Sequence, residues 1–287
     1  MTSLPRAAPR LLTTRAEVAG LAEATRREGR RLALVPTMGF LHAGHTSLMA
    51  AARARADVVL VSIFVNPTQF GPAEDLARYP RDLPGDLAKC AAAGVDLVFH
   101  PASGEMYPEG HQTFVEVTEL SRGLCGDRRP GHFRGVATVV TQLFALARPQ
   151  VAFFGEKDYQ QLLVVRRLAQ DLHLGVEVVG MPIVREPDGL AMSSRNAYLD
   201  PAERGRALSL WRGLQAAQEE FRGGVRDAAR LAGRVGEELR RSEVRQDYVE
   251  VVDAGTLRPL PSVDRPARML VAAFVGKTRL IDNVALG

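Results

Sequence analysis

The sequence predicts an α/β protein, in which helices cover both faces of a parallel sheet, followed by a smaller α+β domain. Two observations predict this fold class. Short apolar runs rich in β-branched residues alternate with helical segments through the first two thirds of the 287 residues, and such alternation is typical of parallel βαβ units. After Asn196 the pattern changes to long Arg-, Ala- and Glu-rich helices and then to strands. We place the boundary between residues 182 and 187, which gives domains 1–183 and 184–287.

The elements of the first domain follow in a regular order. Thr13 or Thr14 can cap a helix that ends before Gly29. The strongest strand signal is the nearly continuous β-branched run at residues 57–65, which Pro67 brings to an end. The other predicted elements are strands at 32–35, 95–99, 151–154 and 176–179 and helices at 45–55, 84–93, 136–147 and 159–171. An all-β fold would need turn signals about every 8–12 residues, and this pattern is absent.

The second domain begins with a clear helix start. Asp200 stands at a capping position and Pro201 in the first turn. Helices then continue to about residue 242, and three strands follow at 248–252, 269–274 and 278–284. This order predicts a small α+β domain.

Composition restricts the class of protein. Apolar residues make up 46% of the chain and charged residues 24%, which is the balance of a soluble globular protein. No apolar run approaches the roughly 20 residues that cross a bilayer, so we expect no membrane partner. The first ten residues contain no apolar signal core and predict a loose tail on a cytoplasmic protein.

The charge pattern argues against a nucleic-acid partner. The formal net charge is only +4, and the arginines are scattered beside acidic residues instead of forming a stripe with aromatics. Arg128 and Arg129 could contribute locally to an anionic-ligand site, but the interpretation favoured is a surface loop. Cys90 and Cys125 have no metal-site spacing and are expected to be reduced thiols.

The first candidate site motif lies between the first strand after the opening helix and the next helix. It contains Gly39, His42, Gly44 and His45, in an H-x-G-H spacing that follows Met38. Ligands of open α/β sheets bind beyond the carboxyl ends of strands, and a helix N-terminus there favours phosphate. The glycines allow close backbone approach, and the histidines can donate hydrogen bonds to phosphate oxygens. A glycine-rich turn with two surface histidines is the alternative, which the strand-end position and the spacing disfavour.

A second constellation also follows a strand and begins a helix. It comprises Gly155, Glu156, Lys157, Asp158 and Gln161. Lys157 offers a positive charge for phosphates, Asp158 can accept from a ribose hydroxyl or contact magnesium, and Gln161 offers both a donor and an acceptor. An exposed helix start with charged residues at its cap is the plain structural alternative.

Two further segments complete the candidate site. Arg195 and the hydroxyl residues before it make a flexible clamp suited to a polyphosphate, in the segment Met192, Ser193, Ser194, Arg195. This segment could close over a nucleotide if the C-terminal domain moves, although an interdomain loop is the plain alternative. Gln69 follows the strongest strand, where it can bind hydroxyl or carboxylate groups without adding charge. Gln69 and Gln161 together fit a small hydroxy acid better than a nucleic acid.

These motifs carry a resemblance to known enzymes. The H-x-G-H motif resembles the signature of the nucleotidyltransferase superfamily related to class I aminoacyl-tRNA synthetases, whose members direct attack onto the α-phosphorus of ATP. The four segments together resemble the pantoate–β-alanine ligase family, from about residue 34 to residue 199. Tyr107-Pro108, residues 132–136 and residues 184–186 extend the match. The resemblance implies a Rossmann-like N-terminal domain, a small C-terminal lid and a homodimer.

The resemblance also implies the role of each site residue. His45, in the family's proton-donor position, His42 and Lys157 would be catalytic. Gln69 and Gln161 would bind pantoate, with Gln69 also near β-alanine. The residues implied to bind ATP are Met38, Gly39, His42, Gly44, His45, Gly155, Glu156, Lys157, Asp158, Val184, Met192, Ser193, Ser194 and Arg195. Asp158 would contact Mg²⁺ together with the ATP phosphates.

The implied reaction condenses pantoate with β-alanine through a pantoyl adenylate, and it releases AMP and pyrophosphate. Like-charge repulsion opposes the approach of a carboxylate to ATP, so the positive groups and hydrogen-bond donors must stabilise the developing charge. The nearest rival is a nucleotidylyltransferase with a phosphate acceptor, but Gln69 and Gln161 replace the Arg or Lys expected there. A non-catalytic nucleotide-binding domain would not explain both histidines and Lys157. A tRNA-binding protein would need a stripe of basic and aromatic residues, which this sequence lacks.

Overall fold

The computed structural model describes residues 8–72 and 74–287 and contains two compact units. One unit comprises the described residues up to 121, residues 126–156 and residues 161–182. The other comprises residues 122–125, 157–160 and 183–287. The two units therefore interleave along the sequence. The division into domains 1–183 and 184–287 remains a prediction.

The first unit is built on a six-stranded parallel sheet. Its strands are β1 (Arg10–Leu12), β2 (Leu32–Thr37), β3 (Val58–Ile63), β4 (Leu97–Phe99), β5 (Val151–Gly155) and β6 (Glu177–Met181). The order across the sheet is β1-β4-β3-β2-β5-β6, and each neighbouring pair is parallel. The helices up to residue 182 are α1 (Arg15–Arg27), α2 (Ala43–Arg55), α3 (Leu83–Ala92), α4 (Ser103–Met106), α5 (Leu124–Arg128), α6 (His132–Ala147) and α7 (Tyr159–Asp171).

Local sequence signals explain most of these elements. Thr14 caps α1 in a capping box with Glu17, as its position predicts. Every residue of β3 is buried, which accounts for its continuous apolar run. The helix predicted at residues 136–147 begins earlier, at His132, directly after Gly131 in the left-handed region with φ 81°.

The N-terminal tail predicted over residues 1–10 is too long. Arg10 begins β1, which pairs with β4, and Leu12 at its end is completely buried. Residues 1–7 lie outside the described residues. The strand is missed because three residues are too few to show a period.

The second unit has an antiparallel sheet covered by two helices. Its elements are α8 (Pro201–Arg222), α9 (Ala228–Arg241), β7 (Arg245–Asp253), β8 (Ala267–Val275) and β9 (Thr278–Leu286), with the strands in the order β7-β8-β9. Asp200 caps α8 in a capping box with Glu203, and Pro201 occupies the first turn. The predicted fold class, a parallel-sheet α/β domain with a smaller α+β domain, is confirmed. None of the helices in residues 8–72 and 74–287 is long and apolar enough to span a bilayer.

Strand order singles out one place in the parallel sheet. From β2 the chain proceeds to β3 and β4 on one side, whereas β5 and β6 lie on the other side. The gap between the carboxyl ends of β2 and β5 is therefore a topological switch point, where open α/β sheets bind ligands.

Candidate active site

Three of the predicted motifs follow strands of the parallel sheet at the same edge. Residues 38–45 follow β2, residues 66–69 follow β3, and Glu156 follows β5. Because all these strands are parallel, their carboxyl ends share one edge of the sheet. The fold thus brings these parts of the predicted site to the switch-point edge.

The two histidines cap helix α2. His42 is the N-cap residue, and its Nδ1 accepts a hydrogen bond from the Gly44 backbone N–H at 3.2 Å. His45 Nδ1 accepts from the His42 backbone N–H, also at 3.2 Å, and the ring centroids are 4.1 Å apart. A neutral imidazole that accepts at Nδ1 carries its proton on Nε2. Each ring is therefore set as an Nε2–H donor at the positive end of a helix dipole.

A buried aspartate, to which no sequence motif points, holds the loop before this helix. Asp86 on α3 is 1% exposed and accepts the backbone N–H groups of Phe40, at 2.8 Å, and Leu41, at 2.7 Å. Gly39 has φ 83°, and a Cβ there would lie 3.0 Å from Ile63 Cγ2. The loop conformation therefore requires both this glycine and the carboxylate. Its only sequence signal is an acidic residue in the first turn of a helix, which looks like an ordinary cap.

The side chain of Gln69 is fixed by a polar network. Gln69 is 8% exposed; its Oε1 accepts from Asn66 Nδ2 at 3.0 Å, and its Nε2 donates to Met38 Sδ at 3.2 Å. Asn66 Nδ2 also donates to the Gly135 carbonyl at 3.1 Å, and Asn66 Oδ1 accepts from the Tyr107 hydroxyl at 2.8 Å. The network gives the Gln69 amide one orientation and places it against the loop that carries the H-x-G-H motif.

The backbone carbonyl of Gln69 is held by a second network. His132 Nδ1 lies 2.9 Å from this oxygen, and His132 Nε2 lies 3.0 Å from Arg129 Nη1. Arg129 forms two 2.7 Å hydrogen bonds to the Glu74 carboxylate. Burial opposes ionisation of Glu74, but the hydrogen bonds and charge of Arg129 bring its pKa below the ordinary value. Arg129 lies in the bend after α5, but its side chain is only 14% exposed, so the surface-loop interpretation is wrong for this side chain. Arg128 is the exposed last residue of α5 and not part of a loop.

The second constellation is divided between the two units. Gly155, Glu156 and Gln161 belong to the first unit, and all three are partly buried. Lys157 and Asp158 belong to the second unit. The Lys157 ammonium lies 3.8 Å from Asp158 Oδ2, and the two side chains are 19% and 50% exposed.

The clamp segment of the second unit has a defined conformation. The Met192 N–H donates to the Val184 carbonyl at 3.0 Å, which joins two residues that the resemblance assigns to ATP. Ser193 caps a 3₁₀ turn over Ser194–Tyr198, since its Oγ accepts from the Arg195 N–H at 3.3 Å. Ser194 is 6% exposed. The segment is therefore a hairpin followed by a capped turn.

The described residues hold neither a preformed metal-ligand group nor an exposed thiol. The part of the chain that the structure describes contains no group of three His, Cys, Asp or Glu residues arranged to hold a metal ion. Cys90 and Cys125 are buried free thiols. Burial, with the nearby Asp86 charge, raises the pKa of the Cys90 thiol to about 12, so this thiol is a poor nucleophile at neutral pH.

A parallel sheet whose switch point carries a histidine-capped helix defines an α/β protein with a ligand site at that edge of the sheet. The sequence model of the pantoate–β-alanine ligase family matches residues 10–285. The chain belongs to this family and is a ligase that joins pantoate to β-alanine, as the motifs predict.

Similar proteins cover nearly the whole chain. A pantothenate synthetase of Myxococcus xanthus is 66% identical over 283 residues, which are 98% of this chain and 97% of that protein. The crystal structure of a Thermus thermophilus pantothenate synthetase is 50% identical and superposes with a TM-score of 0.91, covering 96% of this chain and 98% of that one. A Francisella tularensis pantoate–β-alanine ligase, described as complexed with β,γ-ATP and β-alanine, is 32% identical with a TM-score of 0.81 and covers 96% of this chain and 97% of that one.

Proposed function

We propose that the enzyme uses ATP to activate pantoate as pantoyl adenylate and then transfers the pantoyl group to β-alanine. One observation carries the proposal: the Gln69 amide, suited to a small hydroxy acid, contacts Met38 in the loop that precedes the histidine-capped helix. The family match supports pantoate and β-alanine as substrates. The Francisella structure supports ATP, because that relative is described with a bound ATP compound and β-alanine.

In the first step a pantoate carboxylate oxygen attacks the α-phosphorus of ATP. A new P–O bond forms, the bond to the bridging oxygen of pyrophosphate breaks, and pyrophosphate leaves. His42 and His45 would donate from Nε2 to oxygens on which negative charge develops. A proton added at either Nδ1 would remove a helix cap, so we propose hydrogen-bond donation, with the His45 proton-transfer role remaining a prediction.

In the second step the unprotonated amine of β-alanine attacks the acyl carbon. The carbon–nitrogen bond forms, AMP leaves with the electron pair of the acyl–oxygen bond, and the amine loses a proton to the surroundings. Gln69 and Gln161 would bind pantoate through neutral amides, with Gln69 also near β-alanine. Their lack of charge leaves the attacking carboxylate weakly held, which keeps it reactive.

The remaining positions have proposed roles toward ATP. Met38, Gly39, Gly44, Gly155 and Glu156 would line the nucleotide, as would Val184 and Met192. The residues proposed to bind phosphates are Lys157, Ser193, Ser194 and Arg195. These assignments rest on the matched motifs and on the helix-cap and hairpin geometry described above.

Magnesium fits as a partner of the nucleotide. Mg²⁺ is commonly held by one or two carboxylates together with substrate phosphates and water, and Asp158 is a half-exposed carboxylate next to Lys157. Asp158 would therefore provide the protein contact. When bound, Mg²⁺ neutralises part of the triphosphate charge.

Isotope exchange tests the proposal. Labelled pyrophosphate should enter ATP when pantoate is present and β-alanine is absent, because the first step is then reversible on its own. Complete reactions should give AMP, pyrophosphate and pantothenate in equal amounts. Formation of ADP, or turnover without any exchange, would contradict a pantoyl-adenylate intermediate. The cytoplasmic location, the homodimer and the lid role of the C-terminal domain remain predictions.

A further inference from the structure

Strand β9 carries two adjacent buried polar residues that the reaction does not use directly. Asp282 is 3% exposed and Asn283 is 2% exposed. Successive side chains of a strand point to opposite faces, so these two side chains can form hydrogen bonds with two different segments. Their partners lie within the second unit. Asn283 contacts Lys157, which is proposed to bind phosphates, and Asp282 contacts Arg185, in the hairpin that leads to the clamp segment.

Asp282 holds the hairpin that leads to the clamp. Arg185 forms two hydrogen bonds to the Asp282 carboxylate, at 2.6 and 2.9 Å, and a third to the Gly189 carbonyl at 3.1 Å. The Arg185 guanidinium also lies 3.5 Å from the centroid of a Trp211 ring. A guanidinium that makes two hydrogen bonds to a carboxylate and stacks on an aromatic ring is held in a single orientation. Arg185 is therefore a fixed point of the hairpin, next to Val184.

Asn283 holds the other segment through its main chain. Asn283 Nδ2 donates to the Lys157 carbonyl at 3.0 Å, and Asn283 Oδ1 accepts from Arg268 Nε at 2.7 Å. Because arginine can only donate, Arg268 selects the amide orientation in which Nδ2 faces Lys157. Arg268 also stacks on Tyr159, 4.2 Å from the ring centroid, and the Tyr159 hydroxyl donates to the Ala254 carbonyl at 2.9 Å.

We propose that Asp282 and Asn283 are positioning residues that set the spacing between the Lys157 segment and the clamp segment for ATP binding. The inference rests on the proposed function, since it concerns the phosphate-binding role assigned to those segments. Two segments far apart in sequence are tied to consecutive residues of one strand. Their charged groups are thus arranged before ATP arrives, and charge stabilisation by prearranged groups costs little reorganisation during the reaction.

The test uses Asn283→Ala, with Gln218→Ala as a matched control. Gln218 also donates a side-chain amide to a backbone carbonyl of β9, that of Ala285 at 3.0 Å, but this contact lies outside the proposed site. We expect Asn283→Ala to lower the rate of pantoate-dependent pyrophosphate–ATP exchange by roughly 10- to 100-fold, the scale of displacing a group by about 1 Å. Gln218→Ala should stay within about twofold of the parent enzyme, as expected for an independent site.

A double-mutant cycle with Lys157→Ala distinguishes positioning from general damage. If Asn283 acts through Lys157, then Asn283→Ala should change the exchange rate by less than about threefold in the Lys157→Ala background. Equal losses in both backgrounds, or a normal rate in Asn283→Ala, would overturn the inference. If Asn283→Ala does not fold, the variant Arg268→Met is measured in its place. This substitution removes the donor to Asn283 and keeps an apolar side chain over Tyr159. A normal exchange rate in Arg268→Met would also overturn the inference.

The parent enzyme separates this inference from the proposed function. Absence of exchange in the parent enzyme with pantoate present would reject the proposed function, and the inference with it. Normal exchange in both the parent enzyme and Asn283→Ala would reject the inference alone.

Discussion

Replacing Gly135 by alanine should impair use of pantoate although the residue contacts no proposed substrate group. Gly135 lies in the first turn of α6, and its carbonyl accepts from Asn66. A Cβ at this position would lie 2.6 Å from the Gln69 backbone nitrogen and 2.6 Å from the Thr68 carbonyl carbon, and still closer to the Thr68 carbonyl oxygen. All three are backbone atoms, so no side-chain rotation relieves the contact. The turn that carries Gln69 must move.

The size of the effect follows from the displacement. Ordinary contact begins at 3.4 Å, so the gap must widen by at least about 0.8 Å. A misplacement of about 1 Å costs about 100-fold in rate. Part of the movement can be taken up by α6 itself. We therefore expect pantoate-dependent pyrophosphate–ATP exchange to fall by roughly 10- to 100-fold, because the Gln69 amide no longer meets pantoate.

Gly233→Ala is the matched control. Gly233 lies in α9, and a Cβ there would meet no atom within 4 Å. This substitution should stabilise the fold by about 0.5–1 kcal/mol, the usual helical preference for Ala over Gly. Exchange kinetics and thermal unfolding of the two variants should be measured side by side. Normal exchange by a folded Gly135→Ala variant would refute the reasoning that the position of Gln69 limits pantoate activation.

Three further predictions concern single side chains. Lys157→Ala should lower turnover by roughly 10²–10³, the effect of losing one charge-stabilising donor, with little change in the unfolding temperature. Steady-state rates and thermal unfolding by calorimetry would measure both effects. A near-normal rate would place Lys157 away from the reacting phosphates. Gln69→Ala and Gln161→Ala should each weaken pantoate use by about 1–3 kcal/mol and should weaken ATP binding much less. The corresponding Glu variants should lose more activity, because a second carboxylate repels the substrate. Loss of ATP binding with unchanged pantoate dependence would assign these residues to the nucleotide site. Because Arg129 lowers the pKa of Glu74, despite burial, their pairing should stabilise the fold above the ordinary carboxyl pKa and be lost as pH falls through the lowered pKa. Urea unfolding over this pH range should show a shallower loss of stability in Glu74→Gln, and identical pH profiles would contradict the prediction.

Sequence patterns were sufficient for the elements whose signals are local. The Thr14 and Asp200 caps and the β-branched run of β3 are each explained by a few neighbouring residues. Strand β1 was missed because only Leu12 faces the core, and its pairing with β4 depends on residues far along the chain.

The motifs of the site could be predicted from the sequence, but the residues that hold those motifs in place could not. The H-x-G-H spacing identifies a helix start, but it does not reveal that each histidine uses Nδ1 as a cap. Asp86 and Arg129 support the site across 45 and 60 residues of sequence, through Leu41 and the Gln69 carbonyl respectively. Such partners are set by tertiary contacts between segments far apart in the sequence, and no local pattern encodes them.

The interleaving of the two units has a consequence for dissecting the protein. A fragment that starts at residue 184 would lack residues 122–125 and 157–160, which belong to the same unit. These two short segments are hydrogen-bonded to each other, since the buried Gln160 side chain accepts from the Cys125 N–H and donates to the Arg122 carbonyl. The excised fragment would leave Asn283 and the Ala254 carbonyl without the partners they have in Lys157 and Tyr159. Fragment complementation that divides the chain near residue 184 should therefore need the piece before residue 184 to supply both short segments in trans.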